Sequence, residues 1–238
     1  MAEALEFHIR GIRMATEAPS ALDEDAWRAI QGLEREAFRA GLEGWSPQEV
    51  DSLVHWDEPD YFRDSRINPV LAQERGDFRK KQDWRKPLVT VAYDGDVPVA
   101  YTYMSDNVSG KTPLGRWLKM HTPPSLAVPK IGGRRYVHVR ELVTHPDLWR
   151  PEHLDARPIR GLGHLLCYVA LNPYKPEQTV VGYVIPQAVR MLGIIESFMG
   201  RPIEISPEEA RDHTARKRIE IGSVGAIRRK IYDMRVPE

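Results

Sequence analysis

Cysteine is almost missing: Cys167 stands alone among 238 residues. One thiol makes no internal disulfide and no cysteine-based zinc site. It suits a reducing compartment, so a cytoplasmic location is expected. Long apolar runs are missing too. None approaches the roughly 18 residues that a membrane-crossing helix needs. The segment MAEALEFHIRG at the start has no apolar h-region and no cleavage-like site, which predicts no secretory leader. Net charge is also absent, with 34 Lys and Arg against 34 Asp and Glu. That balance argues against nucleic acid as a partner. No fixed-period repeat and no low-complexity tract occurs. What remains, 42% hydrophobic and 29% charged residues, is ordinary for a globular chain. We read it as a single domain, 1–238, with an extended helical N-terminal part over about 15–86 and a long insertion over 105–134.

The balanced charge is unevenly spread. Residues 1–60 hold 14 acidic and 5 basic side chains, a net of −9. Such a region would attract a cationic acceptor such as a polyamine, an aminoglycoside or a lysine. Residues 211–230 hold 7 basic side chains against 2 acidic, a net of +5. That cluster reads either as a site for an anionic ligand or as a solvated face on the last strands.

Hydrophobic periodicity supplies the elements. Residues 6–14 (EFHIRGIRM) read as one strand. Trp27, Ile30, Leu33 and Ala37/Phe38 recur at three- and four-residue spacing, one face of a helix. Ser46-Pro47-Gln48-Glu49 combines an N-cap, a proline at the first helical position and a capping box. Residues 88–93 and 97–104 form a hairpin about Asp94-Gly95-Asp96. Residues 135–144 (RYVHVRELVT) are a strand. A helix follows from Gly161 and stops at Asn172-Pro173. Residues 179–185 (TVVGYVI) are a nearly continuous apolar strand, expected to be central and covered on both faces. Pro186 opens a helix that buries Leu192, Ile195 and Phe198 and ends at Gly200. Residues 203–205, 218–221 and 226–232 read as strands. The order β, α, α, β, β, β, α, β, α, β, β predicts an α/β (α+β) fold, a mixed sheet with helices packed on it.

The chemistry lies between 141 and 166. A strand ending in Leu142-Val143-Thr144-His145-Pro146 leads to Arg157-Pro158-Ile159-Arg160-Gly161-Leu162-Gly163-His164 and a helix. A glycine turn at a helix start offers free N–H groups and partial positive charge to an anion. Gly161 and Gly163 would let a diphosphate come close to the backbone, and Arg157 and Arg160 would add bidentate donors. A plain turn and cap is the alternative. A dinucleotide fingerprint would need a third glycine and an early βαβ unit, and a P-loop a Lys-Ser/Thr pair where His164-Leu165 stands.

Over roughly 88–200 the chain resembles the GNAT superfamily of acyl-CoA transferases. The residues that carry the resemblance are ELVTHP, IRGLGHLL, TVVGYVI and PQAVRMLGIIESFMG, in the family's order of hairpin, strand, glycine turn, helix, strand and helix. The resemblance implies a GNAT-like, mostly antiparallel central sheet flanked by helices. It implies acetyl-CoA or another acyl-CoA as co-substrate, with no metal. The pyrophosphate would lie on the amides of Arg160, Gly161, Leu162, Gly163 and His164, beside Arg157. The pantetheine arm would enter a gap between the strands at 135–144 and 179–185, pairing with backbone near Leu142 and Val143. An acceptor amine would attack the thioester directly, with a base accepting its proton. Two features depart from the family's pattern. Its motif arginine falls at Pro158, one position from Arg157. The tyrosine that often protonates the leaving thiolate falls at Glu196, with Tyr174 and Tyr183 as substitutes only if the fold brings them near.

Glu141 is the first candidate base and His138 the second. Strand alternation puts them on opposite faces unless a bulge intervenes. Cys167 lies mid-helix without a base beside it and reads as a buried thiol. Trp117 and Trp149 flank the site and read as loop packing or as the wall of an acceptor pocket. The function implied is acyl transfer to a small-molecule or peptide amine that the sequence does not identify. An inactive CoA-binding or interaction module and a GNAT-like enzyme acting on nucleic acid or tRNA-linked groups stand as alternatives. A homodimer is compatible with all three.

Overall fold

A computed structural model describes residues 5–9, 11–42, 44–51, 59–60, 63–64, 88–106, 136–148, 161–212 and 217–235. Seven strands form one sheet in chain order. They are β1 Leu5–Ile9, β2 Ile12–Glu17, β3 Leu88–Asp94, β4 Val97–Asp106, β5 Tyr136–Thr144, β6 Thr179–Val184 and β7 Lys217–Ser223. Every neighbouring pair is antiparallel except β5 and β6, which are parallel. The helices are α1 Glu24–Gly41, α2 Pro47–Asp51, α3 Leu162–Ala170, α4 Val189–Met199, α5 Pro207–Arg211 and α6 Val224–Arg235. The class is the expected one: a mixed, mostly antiparallel sheet flanked by helices.

The two faces bury different layers. α3, α4 and α6 pack Leu166, Ile195, Phe198 and Ile227 onto Met104, Val137 and Val180. On the other face α1 packs Trp27, Ile30 and Leu33 onto Val89, Val91, Tyr101 and Tyr103. The α1 stripe is the one its 3–4 spacing predicts, and Asp23 starts the helix by accepting from the Ala26 N–H at 2.8 Å. The expected capping box of α2 forms both ways: Ser46 N–H donates to Glu49 at 2.7 Å, and Glu49 N–H donates to Ser46 Oγ at 3.3 Å.

Several expectations are corrected. Residues 6–14 are not one strand. Ile9 pairs with Ile12 in an antiparallel ladder, with Gly11 at φ 84° in the turn between them; the step of three from Ile9 to Ile12 is its one mark in the sequence. Residues 226–232 form part of helix α6, because Val224, Ile227 and Ile231 bury at helical spacing. Residues 203–205 are irregular. Pro186 precedes its helix by three residues, in the turn before the N-cap Ala188. α5 arises from a second capping box, Ser206 with Glu209, that the expected order lacks. β6 is interior but next to last in the sheet, not central. Most of 52–87 and nearly all of the 105–134 insertion lie outside the described residues.

Candidate functional site

Where β5 meets its two neighbours, the sheet is irregular on both sides. Toward β4, Tyr103 pairs with Glu141 but Met104 pairs with Val139, so Arg140 is an extra residue in β5. Toward β6, pairing covers only Tyr136 to Val139 against Thr179 to Gly182. Beyond the bulge the parallel strands separate, and β5 from Arg140 onward has no ladder partner on β6. A cavity of about 40 Å³ occupies this opening. It is lined from one face by Leu142, Cys167, Met191 and Phe198 and from the other by Arg140 and Tyr183.

The bulge also settles which face each candidate takes. Val137, Val139 and Leu142 pack with the α3–α4–α6 core, a step of two followed by a step of three. His138, Arg140 and Glu141 therefore share the opposite face. Tyr101 donates to Glu141 Oε2 at 3.1 Å, and its hydroxyl also bonds Glu34 Oε2, a carboxylate 1% exposed on α1. The phenol has one hydrogen for two acceptors, so Glu141, Tyr101 and Glu34 form a chain along which a proton can pass. The Glu141 carbonyl accepts from Thr102 Oγ1 at 2.7 Å, which fixes the bulged backbone.

His138 stacks edge-on to Tyr183, with ring centroids 5.3 Å apart. Burial, then the charges of Arg140 and Arg218, hold its pKa down to about 3. It is a neutral imidazole near pH 7 and a poor proton acceptor. Arg140 lies over Tyr103, 5.7 Å from the ring centre. Tyr183, on β6, is held above the usual phenol range by burial, with Arg218 opposing. It therefore keeps its proton at the mouth of the opening. Tyr174 instead belongs to the apolar core. Glu196 accepts from the Ile203 N–H at 2.8 Å and ties down the chain after α4.

On the α3 side, Gly161 is the N-cap at φ 80°, without a side-chain cap and with no acid in the first turn. The first-turn N–H groups of such a helix lack helical acceptors. A Cβ on Gly163 would sit 3.1 Å from Ile194 Cδ1 and 3.8 Å from Thr144 Cγ2. Gly163 is thus needed for close packing of the helix on α4 and the end of β5, a reason distinct from access for a diphosphate. His164 Nε2 meets Ser197 Oγ at 2.8 Å, and its ring lies edge-on to Phe198. Since Ser197 donates its own hydrogen to Ile194 O, His164 is the donor. Its side chain clamps α3 to α4, leaving only its backbone for a ligand. Arg157 and Arg160 lie outside the described residues, as do Trp117 and Trp149. Burial pushes the Cys167 thiol up to about 12, so it is no ready nucleophile.

Sequence reasoning placed Glu141, His138, Leu142 and Val143 on one strand and held Tyr183 as a substitute acid, but it missed Tyr101 and Glu34 and saw Arg218 only within the basic cluster at 211–230. The single available signal was the Tyr-x-Tyr alternation of β4, which puts Tyr101 on one face with Tyr103. Among the described residues, the basic side chains of 211–230 do not share one role. Lys217 pairs with Glu209 at 3.0 Å, Arg228 lies over Tyr168 at 4.5 Å, and Arg218 faces Tyr183. Among the described residues no cluster of His, Cys, Asp and Glu is placed to hold a metal ion, and no helix is long and apolar enough to cross a membrane.

Comparison with protein-family models and with curated proteins finds no match. Among solved structures, the chain is similar to the PaiA N-acetyltransferase of Thermoplasma acidophilum in complex with coenzyme A, at 11% identity and a TM-score of 0.43, covering 76% of this chain and 84% of that one.

Proposed function

We propose that this protein is an acyl-CoA-dependent N-acyltransferase, probed first with acetyl-CoA. The observation that carries the reading is the opening between β5 and β6. It has β5 backbone that is not laddered to β6 along one wall, an apolar lining from α3 and α4, and a helix start, Gly161, without a side-chain cap. Those three features suit an extended amide-bearing arm that ends in a diphosphate. The arm would lie along Leu142 and Val143, with the diphosphate on the amides of Gly161, Leu162, Gly163 and His164.

The reacting atoms would meet where the opening joins the two faces. The amine nitrogen attacks the thioester carbonyl carbon. The C–N bond forms and the C–S bond breaks. The amine's proton passes to the Glu141 carboxylate, from which Tyr101 can relay one to Glu34. The departing thiolate takes the phenolic proton of Tyr183, and exchange with solvent resets both groups. A β5 N–H beside the bulge, on the side not laddered to β6, would polarise the carbonyl. His138 holds the Tyr183 ring in place rather than accepting a proton.

Thermal unfolding with acetyl-CoA at about 100 times its dissociation constant tests the site. Stabilisation near 2.7 kcal/mol is expected, about 5–10 °C for a chain of this size. CoA release with a panel of amines tests the reaction. Glu141→Gln should lower kcat by about 10²–10⁴ with the thermal shift intact. No shift with CoA, acetyl-CoA or longer acyl-CoAs would remove the ground for this reading.

A further inference from the structure

On the face opposite α3, α4 and α6, positive charge collects around the opening. Tyr183 on β6 pairs in register with Arg218 on β7, and antiparallel partners share a face. His138 reaches Tyr183 from β5, and Arg140 stands two residues further along the same strand. Arg218 is the unusual member. Its Nε and Nη2 are both buried and, among the described residues, neither has a hydrogen-bond partner. The buried Nε2 of His138 has none either.

A guanidinium does not lose its charge in a protein, and buried donors left without an acceptor are costly. The two idle nitrogens are those of one edge of the group, whose parallel N–H bonds match the two oxygens of a single carboxylate or phosphate. Neither nearby acid supplies them. Glu141 is engaged by Tyr101, and Glu220 is exposed and forms no ion pair with Arg218 among the described residues. A second cation, Arg140, lines the opening, and its charge and that of Arg218 both act on His138. The arrangement is complete once an oxyanion is added.

We infer that the acceptor is a small anionic amine, whose carboxylate or phosphate is held side-on by Arg218 with Arg140 beside it, so that its amine points toward Glu141. This reverses the cationic acceptor that the acidic residues 1–60 suggest. Its reaction rests on the acyltransferase reading; its anion rests on the arginines alone. Neutral His138 packs among these cations without adding a third charge. The acceptor would approach from this face and the acyl donor from the α3 side, which keeps the two anionic groups on opposite sides of the sheet.

Two measurements on the full chain separate the layers. The first is CoA release from acetyl-CoA with glycine, β-alanine, glutamate and 2-aminoethyl phosphate, each set against glycinamide, ethylamine and spermidine. The second is NMR titration of the same compounds without acyl-CoA. Anionic amines are expected to exceed their neutral counterparts in kcat/KM, and Arg218→Gln should erase about 10- to 100-fold of that advantage, read as the ratio of anionic to neutral amine within each variant. Arg218→Lys keeps the charge without the fork, and should recover only part. The preferred arm tells carboxylate from phosphate. Equal use of neutral amines, or a preference that survives both variants, overturns the inference while the acyltransferase reading stands. Saturable, Arg218-dependent binding of glycine or 2-aminoethyl phosphate with no CoA release from any amine supports the anion site and removes the transfer reading.

Discussion

On the α3–α4–α6 face, the buried layer is made of Leu166, Ile195, Phe198 and Ile227 against Met104, Val137 and Val180. Thr16 and Thr90 pair their hydroxyls on this face at 2.8 Å. On the α1 face, the layer that buries Trp27 and Ile30 also holds Glu34, the fully buried carboxylate among the described residues, together with three tyrosines, Tyr93, Tyr101 and Tyr103. Past the edge of that layer stand His138, Arg140, Tyr183 and Arg218. Apolar burial contributes stability in proportion to area and is indifferent to pH. Buried polar groups add stability only while every partner is present. One face therefore sets the position of the strands, and the other spends part of that stability on holding groups able to bind and move protons.

The largest effect should come from the positioning face. Leu166 is fully buried on α3. Leu166→Ala should cost about 2–5 kcal/mol in denaturant unfolding, since a cavity is left where methyl groups were. A loss under about 1 kcal/mol would mean that this layer does not carry the sheet.

The α1 face should instead respond to acid. His138 falls from its ordinary 6.5 to about 3 in the fold. Between these values the unfolded chain binds a proton that the folded chain refuses, so stability drops as pH falls through that window. The slope from this residue approaches about 1.4 kcal/mol per pH unit. Above 6.5 it contributes none. His138→Gln should flatten the slope below pH 6.5, whereas Leu166→Ala should leave it unchanged. Equal slopes in wild type and His138→Gln would show that the imidazole is hydrated after all.

Tyr101→Phe should cost about 1–3 kcal/mol by leaving the Glu34 carboxylate without its phenol. Pairing it with Glu34→Leu should recover most of that loss, because replacing both partners of a buried polar pair by apolar groups is often near neutral. If the double variant is as unstable as the single one, the α1 layer depends on shape and not on the polar pair.

The positioning face was far more legible in the sequence than the chemical one. Spacing of 3 and 4 located α1, α3 and α4 and their buried residues, because one stripe of one helix is a local pattern. Helix α6 was misread: Ala226 to Tyr232 has branched and aromatic residues that suit a strand, and only Val224, Ile227 and Ile231 on one side reveal the helix. The turn at Gly11 is marked only by a step of three, from Ile9 to Ile12, in a run that otherwise alternates. The site suffered most. One extra residue, Arg140, turns His138 and Glu141 onto a shared face, and a bulge has no composition of its own. Glu34 and Glu141 are 107 residues apart and meet only through Tyr101. Arg218 looked like part of a basic run until the register of β7 set it opposite Tyr183.

The smallest expected effect separates two roles for one atom's worth of space. Gly163 sits in the first turn of α3, facing Ile194 of α4 at a distance where an added Cβ at 3.1 Å displaces its neighbour by a few tenths of an ångström. Gly163→Ala gains helix preference, up to about 1 kcal/mol in a helix interior and less at an end, and loses a similar amount to crowding. The net change in stability should stay within about 0.5 kcal/mol. Ile194→Val removes Cδ1, the crowded atom, so in that background Gly163→Ala should become stabilising by a few tenths of a kcal/mol, a coupling that a double-mutant cycle reads directly. Acyl-CoA binding then decides what the glycine is for. If packing is its role, the double variant binds acetyl-CoA like wild type. If a diphosphate must approach this backbone, the methyl group weakens binding in both backgrounds even though the fold tolerates it, and the helix start is then a ligand surface as well as a packing joint.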